Sequence, residues 1–165
     1  MIGATVRYRP WQPGDDALLA ALGPALSEKS LYTRFLIGTP TIPGYYLHYV
    51  RNAPRSRWDA VVALHGDDVV GWAEFGRMEY YGAEAELAVV VVDAWQRRGI
   101  GTAVARRAVE RAILSGVTTL SAEVLASNIA SARLIESLSG GVHSLRSDGQ
   151  VLHYRLPLRE VAVAA

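Results

Sequence analysis

The chain has 165 residues, enough for one domain with a real core and too few for two of ordinary size. Half of the residues are apolar and a fifth charged, the balance of a soluble globular protein, and a net charge of +1 lacks the basic excess that a nucleic-acid partner demands. There is no cysteine, which removes disulfides, thiolate metal sites and cysteine nucleophiles together and fits a reducing compartment.

Along the chain, TVRYRP alternates and predicts a first strand over Thr5 to Arg9. GDDALLAAL predicts a helix, with Asp15 or Asp16 as its cap and as the acid of its first turn. LSEKSLYTRFL predicts a second helix capped by Ser27, and Pro43 suits the first turn of a third. WDAVVALHGDDVVGWAEFGRM holds two β-rich runs joined at His65-Gly66-Asp67-Asp68, a hairpin pattern. EAELAVVVV is a further strand whose valines imply burial on both faces.

Gly99 to Ser115 reads as a helix. Ile100, Val104, Ala105, Ala108, Val109 and Ala112 form its apolar stripe, and Arg106, Arg107, Glu110 and Arg111 its expected solvated side. TTLSAEVLA is a strand, SNIASARLIESLSGG a helix stopped by glycine, and VHSLRSDGQVLHYRLPL a hairpin around Asp148-Gly149. The terminal REVAVAA is expected to fray or to dock on a neighbour. MIGATVRYRPWQPGDD has no signal-peptide core, and no segment approaches the about 20 apolar residues of a membrane helix. A cytoplasmic protein without a membrane partner is expected. The element order implies one mixed α/β sheet flanked by helices, in a single domain spanning 1–165.

The segment Gln96-Arg97-Arg98-Gly99-Ile100-Gly101-Thr102 joins a strand to a helix. A helix N-terminus exposes unpaired N–H groups and carries partial positive charge. Glycines let a phosphate approach the main chain, and two arginines add charge at the same mouth. Val104 stands where a dinucleotide fingerprint has its third glycine, and no Gly-Lys-Ser/Thr of a P-loop follows, so a nucleotide-binding domain is disfavoured. A tight turn that merely uses glycine is the plain alternative.

Gln96-x-x-Gly99-x-Gly101 resembles the acyl-CoA pyrophosphate loop of the GNAT superfamily of N-acetyltransferases, and the element order is similar along nearly the whole chain. AEVLASNIASARLIESLSG is similar to that family's next strand and helix. LSEKSLYTRF and Ala85-Glu86 resemble a narrower group, the bacterial protein lysine acetyltransferases. The resemblance implies a mostly antiparallel sheet of about seven strands. In it, the strand Glu86–Val92 splays from the strand Thr118–Leu125, and the pantetheine arm of acetyl-CoA lies in the gap. It implies that Gln96, Arg97, Arg98, Gly99, Ile100, Gly101 and Thr102 bind the pyrophosphate and that Asn128 touches CoA. Val90, Val91 and Val92 would present main-chain groups to the ligand.

Acetyl transfer to an amine needs a base, because only the neutral amine attacks, and a donor for the developing oxyanion, which a valine N–H could supply. Glu86, an acid in an apolar strand, is the candidate base, directly or through a water, with Glu84 its competitor. Ile135 stands where many family members carry a tyrosine acid. Ser131, one turn earlier on the same face, could reach the sulfur, or be an ordinary helix residue, and the thiolate could leave without an acid. Tyr45, Tyr46, Tyr80 and Tyr81 fall in segments expected near the acceptor, where they shape a pocket or pack. His48, His65, His143 and His153 have no metal-ligand spacing, and no metal is expected. Trp11, Trp58, Trp72 and Trp95 read as core or rim packing. The preferred acceptor is a protein lysine ε-amine, with a small amine as rival and a non-catalytic acyl-CoA sensor as a rival of another class. Monomer and homodimer are both open.

Overall fold

A computed structural model describes residues 5–80, 82–138 and 144–158. Tyr81, His143, the glycine stop at Gly140 and Gly141, and the terminal REVAVAA lie outside the described residues. The elements are β1 (Arg7–Pro10), α1 (Asp15–Ala20), α2 (Glu28–Phe35), α3 (Gly44–Asn52), β2 (Trp58–His65), β3 (Asp68–Arg77), β4 (Glu84–Val91), α4 (Ile100–Leu114), β5 (Thr119–Leu125), α5 (Ile129–Leu138), β6 (Ser144–Ser147) and β7 (Val151–Pro157). Their order is the one read from the sequence. Among the described residues no helix is long and apolar enough to cross a membrane.

The strands form one seven-stranded sheet in the order β1-β2-β3-β4-β5-β7-β6. Every neighbouring pair is antiparallel except β4 and β5, which run parallel around the crossover helix α4. Strand alternation sends side chains to two cores. Ala60, Val62, Leu64, Trp72, Val90 and Val92 pack with Leu19, Leu31, Tyr46 and Val50 of α1–α3. Val61, Ala73, Phe75, Ala85 and Leu87 pack with α4 and α5 on the opposite face. The valine run is thus covered on both sides, as its composition implied.

Local chemistry explains most boundaries. The Ser30 N–H donates to Ser27 Oγ at 3.2 Å, so Ser27 caps α2 as expected. Gly66 turns the β2–β3 hairpin at φ +62°. Helix α1 differs from expectation, because its cap is Gly14 in the left-handed region and neither aspartate caps it. Asp15 and Asp16 are its first helical residues, buried where Arg9 and Arg51 each approach to 2.7 Å. The acid of the first turn is therefore present, but the arginines rather than the helix amides determine where it points.

Every apolar-stripe residue of α4 is buried, and Val104, Ala105, Ala108 and Ala112 are wholly so. Alanine at these positions lets the helix backbone lie close to the sheet. The other face is less solvated than its arginines suggested, since Arg111 grips buried Asp59 of β2 and Arg107 lies 4.3 Å over the Tyr8 ring. Ala105→Leu is expected to lower unfolding stability by about 2 kcal/mol through overpacking. Urea denaturation checks this as a lower midpoint at unchanged slope.

Candidate active site

The loop after β4 builds a positive mouth. Gly99 takes φ +78° as the cap of α4, and Arg97 takes φ +62°, a conformation uncommon for a side-chain-bearing residue. The first intrahelical bond runs from the Ala103 N–H to the Gly99 carbonyl at 3.0 Å. Among the described residues no acceptor lies against the N–H groups of Ile100, Gly101 and Thr102, and the first turn holds no acid. Arg98 stacks 4.8 Å over Trp95, which packs on His65. Arg97 is exposed and has no ion-pair partner among the described residues. Oriented amides and one free guanidinium make a seat for a phosphate-type anion.

Two loop residues play parts that their types did not reveal. The Gln96 side chain donates to the Val91 carbonyl at 3.0 Å and to Ser30 Oγ at 3.2 Å, so it ties the loop to β4 and α2. The Cβ that any substitution adds at Gly101 would meet Leu134 Cδ1 at 3.1 Å and Val91 Cγ2 at 3.5 Å. Gly101 therefore serves the close packing of α4 on α5 and β4, and a side chain there would not fill the anion's place. Asp93, which the sequence did not flag, accepts from the Ser27 N–H at 3.0 Å, the Ser27 hydroxyl at 2.6 Å and the Ser30 hydroxyl at 3.1 Å. Burial pushes the Asp93 carboxyl up, but these bonds outweigh it and hold it below its ordinary value.

The expected splay is present. β4 pairs with β5 only at Glu84–Thr119, Ala85–Leu120 and Glu86–Ser121. Beyond Glu86, β4 follows β3 and β5 follows β7. The Val92 N–H donates to the Val70 carbonyl at 2.9 Å and the Met78 N–H to the Glu84 carbonyl at 3.1 Å. Alternation along an antiparallel ladder then turns the main chain of Glu86, Ala88 and Val90 toward β3, and that of Leu87, Val89 and Val91 toward the gap. This corrects the expectation for Val90 and Val92. Their amides serve β3 and their side chains are buried, so the Leu87 carbonyl and both main-chain groups of Val89 join the Val91 N–H as the open edge, the Leu87 N–H being used by the Glu86–Ser121 pairing and the Val91 carbonyl by Gln96.

On the α2–α3 side of the split lies an open groove of about 640 Å³, lined among others by Arg34, Tyr45, Tyr46, Tyr80, Glu86 and Glu123. Glu86 reaches solvent, and among the described residues no hydrogen bond holds it. The concave surroundings of the groove, and after them the carboxylate of Glu123, push its carboxyl up; Arg34 opposes this and Glu74 adds to it. Glu84, the competitor, accepts from Arg155 of β7 and does not line the groove. Beside Glu86 lies a network that sequence reading missed. Buried Glu74 accepts from Arg34 at 2.6 Å, from Trp72 Nε1 at 3.1 Å and from the Tyr46 hydroxyl. Burial and the Glu74 charge push the Tyr46 hydroxyl well above its ordinary value. The only available signal was an acid at alternating spacing within the apolar run VVGWAEF, the same type of signal that marked Glu86.

Across the split, Asn128 caps α5, its side-chain oxygen accepting from the Ser131 N–H at 3.2 Å. Ile135 is buried in the core formed with α4 and offers no proton. Ser131 is half-buried in the first turn of α5.

Residues 29–140 match the acetyltransferase (GNAT) family. The chain belongs to the GNAT acetyltransferases. The fold of this acetyltransferase is similar to the GNAT domain of S. lividans PAT, with a TM-score of 0.83 and 22% identity over 94% of this chain and 92% of that one. It is similar to yncA from Salmonella typhimurium, solved with its cofactor acetyl-CoA, with a TM-score of 0.75 and 19% identity over 93% and 94% of the two chains. It is also similar to spermidine N-acetyltransferase from Vibrio cholerae, solved with CoA and spermine, with a TM-score of 0.72 and 13% identity over 95% and 98%.

In this acetyltransferase Glu74 is the acceptor for a nearly buried guanidinium, whose side chain is 13% exposed. Glu74→Ala is expected to destabilise the fold by about 3 kcal/mol, because it leaves Arg34 charged and unpaired. Thermal and chemical denaturation of the variant measure this directly.

Proposed function

We propose that this acetyltransferase moves an acetyl group from acetyl-CoA to the ε-amine of a lysine in a protein. The observation that carries the reading is the position of Glu86, at the point where β4 and β5 part, facing an open groove walled by carboxylates and tyrosines. Bound acetyl-CoA supplies an activated acyl group on sulfur. The chain's own groups fit it. The Ile100, Gly101 and Thr102 amides with Arg97 receive the diphosphate, and the open edge of Leu87, Val89 and Val91 offers N–H and C=O groups to an extended, amide-bearing arm.

Glu86 takes a proton from the incoming ammonium, directly or through a water, and its raised proton affinity suits that task. An N–H of the open edge faces the place where negative charge develops on the acyl oxygen. No tyrosine acid stands at Ile135. A simple thiol ionises at about 8.5, so the leaving sulfur needs little help, and Ser131 is a hydroxyl on that helix face, one turn before Ile135.

Exposed Tyr45 and Tyr80 at the groove's rim, 66% and 90% accessible, favour an acceptor presented on a larger body. A free polyamine is the second reading, favoured by the same carboxylates. Competition between a lysine peptide and spermidine as acceptors, read as free CoA released, separates the two.

Glu86→Gln is expected to cut turnover about a hundredfold while acetyl-CoA affinity is kept. In the wild type, kcat/KM falls as pH drops through the Glu86 pKa, which lies above the ordinary value of a glutamate, because only the ionised carboxylate accepts the proton. A pH profile without that limb moves the base elsewhere. Arg97→Ala is expected to weaken acetyl-CoA binding about tenfold with the fold intact, as measured by calorimetry.

A further inference from the structure

We propose that Glu123, held by His153, is a second carboxylate of the acceptor site and binds the incoming ammonium opposite Glu86. The inference rests on the reading of the groove as the acceptor site. Glu86 stands on β4 at the last position where that strand touches β5, in register with Ser121. Glu123 lies two residues further along β5, about 6.6 Å beyond Ser121 and on the same face. Both side chains line the one groove. An amine entering where the strands part therefore meets a carboxylate on each bank.

Glu123 is held in place from behind. Its direct cross-strand partner on β7 is His153, whose Nδ1 lies 3.1 Å from Glu123 Oε1. The other ring nitrogen, Nε2, lies 3.3 Å from Asp148 Oδ2 in the β6–β7 turn. Asp148 in turn accepts from the Val151 N–H at 2.8 Å and the Gln150 N–H at 3.0 Å, and these bonds with His153 hold its carboxyl at about 2. The ring can donate to both carboxylates only with a proton on each nitrogen. Asp148, His153, Glu123 and Glu86 thus form a row across the sheet, from an exposed turn to the split.

The other charges around the split are already engaged. Glu86 is faced by Arg34 from α2, Tyr46 from α3 and Glu74 from β3, and these three are bonded to one another. Glu84 on β4 is held by Arg155 of β7, and Arg77 donates to the carbonyls of Ser56, Gly82 and Ser115. Glu79 approaches Arg57 at 3.4 Å. Among the described residues, Glu123 is the group opposite Glu86 that is both charged and turned into the groove. The step balances simply. An N–H bond of the ammonium breaks, its electron pair stays on nitrogen, the proton passes to Glu86, and Glu123 remains ionised and accepts from a remaining N–H. The repulsion between the two carboxylates before the amine arrives is the same interaction that helps to raise Glu86's proton affinity.

The test compares wild type, Glu123→Gln, His153→Gln, the double variant and Glu86→Gln, with acetyl-CoA and a peptide carrying a single lysine. Glu123→Gln is expected to raise the peptide KM about tenfold, to leave the acetyl-CoA KM unchanged and to move the acid limb of kcat/KM to lower pH. His153→Gln is expected to raise the peptide KM less and to add nothing in the Glu123→Gln background. A carboxyl ¹³C NMR titration of the protein alone should find Glu86 ionising at lower pH in Glu123→Gln than in wild type. An unchanged Glu86 titration, or an unchanged peptide KM, overturns the inference. Failure of the wild type to acetylate the peptide sinks the acceptor reading instead, and full turnover by Glu86→Gln sinks the base. In either case the NMR titration still decides whether Glu123 acts on Glu86.

Discussion

The parting of β4 from β5 is the constraint on which the rest of the molecule depends. The strands share three register positions and then follow different partners, β4 with β3 and β5 with β7. A split in the middle of a sheet leaves main-chain groups without ladder partners, and such groups cost free energy unless something else bonds them. The protein satisfies the Val91 carbonyl with Gln96. It leaves the Leu87 carbonyl and the main chain of Val89 as an open edge in a domain whose other central strands are paired, and an added extended chain is the natural complement to such an edge.

The two ends of that opening carry opposite character. At the α4 end stand free amides, Arg97 and Arg98, with the nearest acid, Asp93, turned away to Ser27 and Ser30. At the Glu86 end stand Glu74, Glu86 and Glu123, with Arg34 already committed to Glu74. On the proposed function, an anionic donor and a cationic acceptor would be directed to different mouths of one cleft by this charge difference.

Helix α2 bridges the two ends. Its N-terminal serines hold Asp93 and Gln96 of the loop after β4, and its last turn supplies Arg34 to the network beside Glu86. A helix of eight residues spans both because it crosses the outer face of β4, stapled at each end by side chains far away in sequence. The loop and the groove are consequently held in one frame, which fixes the relation between the amide-lined mouth and Glu86.

What the sequence by itself determined is whatever depends on near neighbours. The order of strands and helices, the Ser27 cap, the Gly66 and Asp148-Gly149 hairpins, the buried stripe of α4 and the glycine-ended mouth of that helix all follow from local spacing and backbone preference. Glu86 was legible because an acid in an apolar strand is locally anomalous. Only the tertiary structure decided the long-range pairings. Arg9 and Arg51 took Asp15 and Asp16 away from the cap of α1, and Leu134 made Gly101 a packing residue. The β3 ladder selected Leu87, Val89 and Val91 in place of Val90 and Val92 as the open edge. Glu74 and Glu123 could not be read as neighbours of Glu86, because they lie on separate strands. The ladder register that brings them together is a property of the folded sheet, set by which faces it buries and not by any short run of residues.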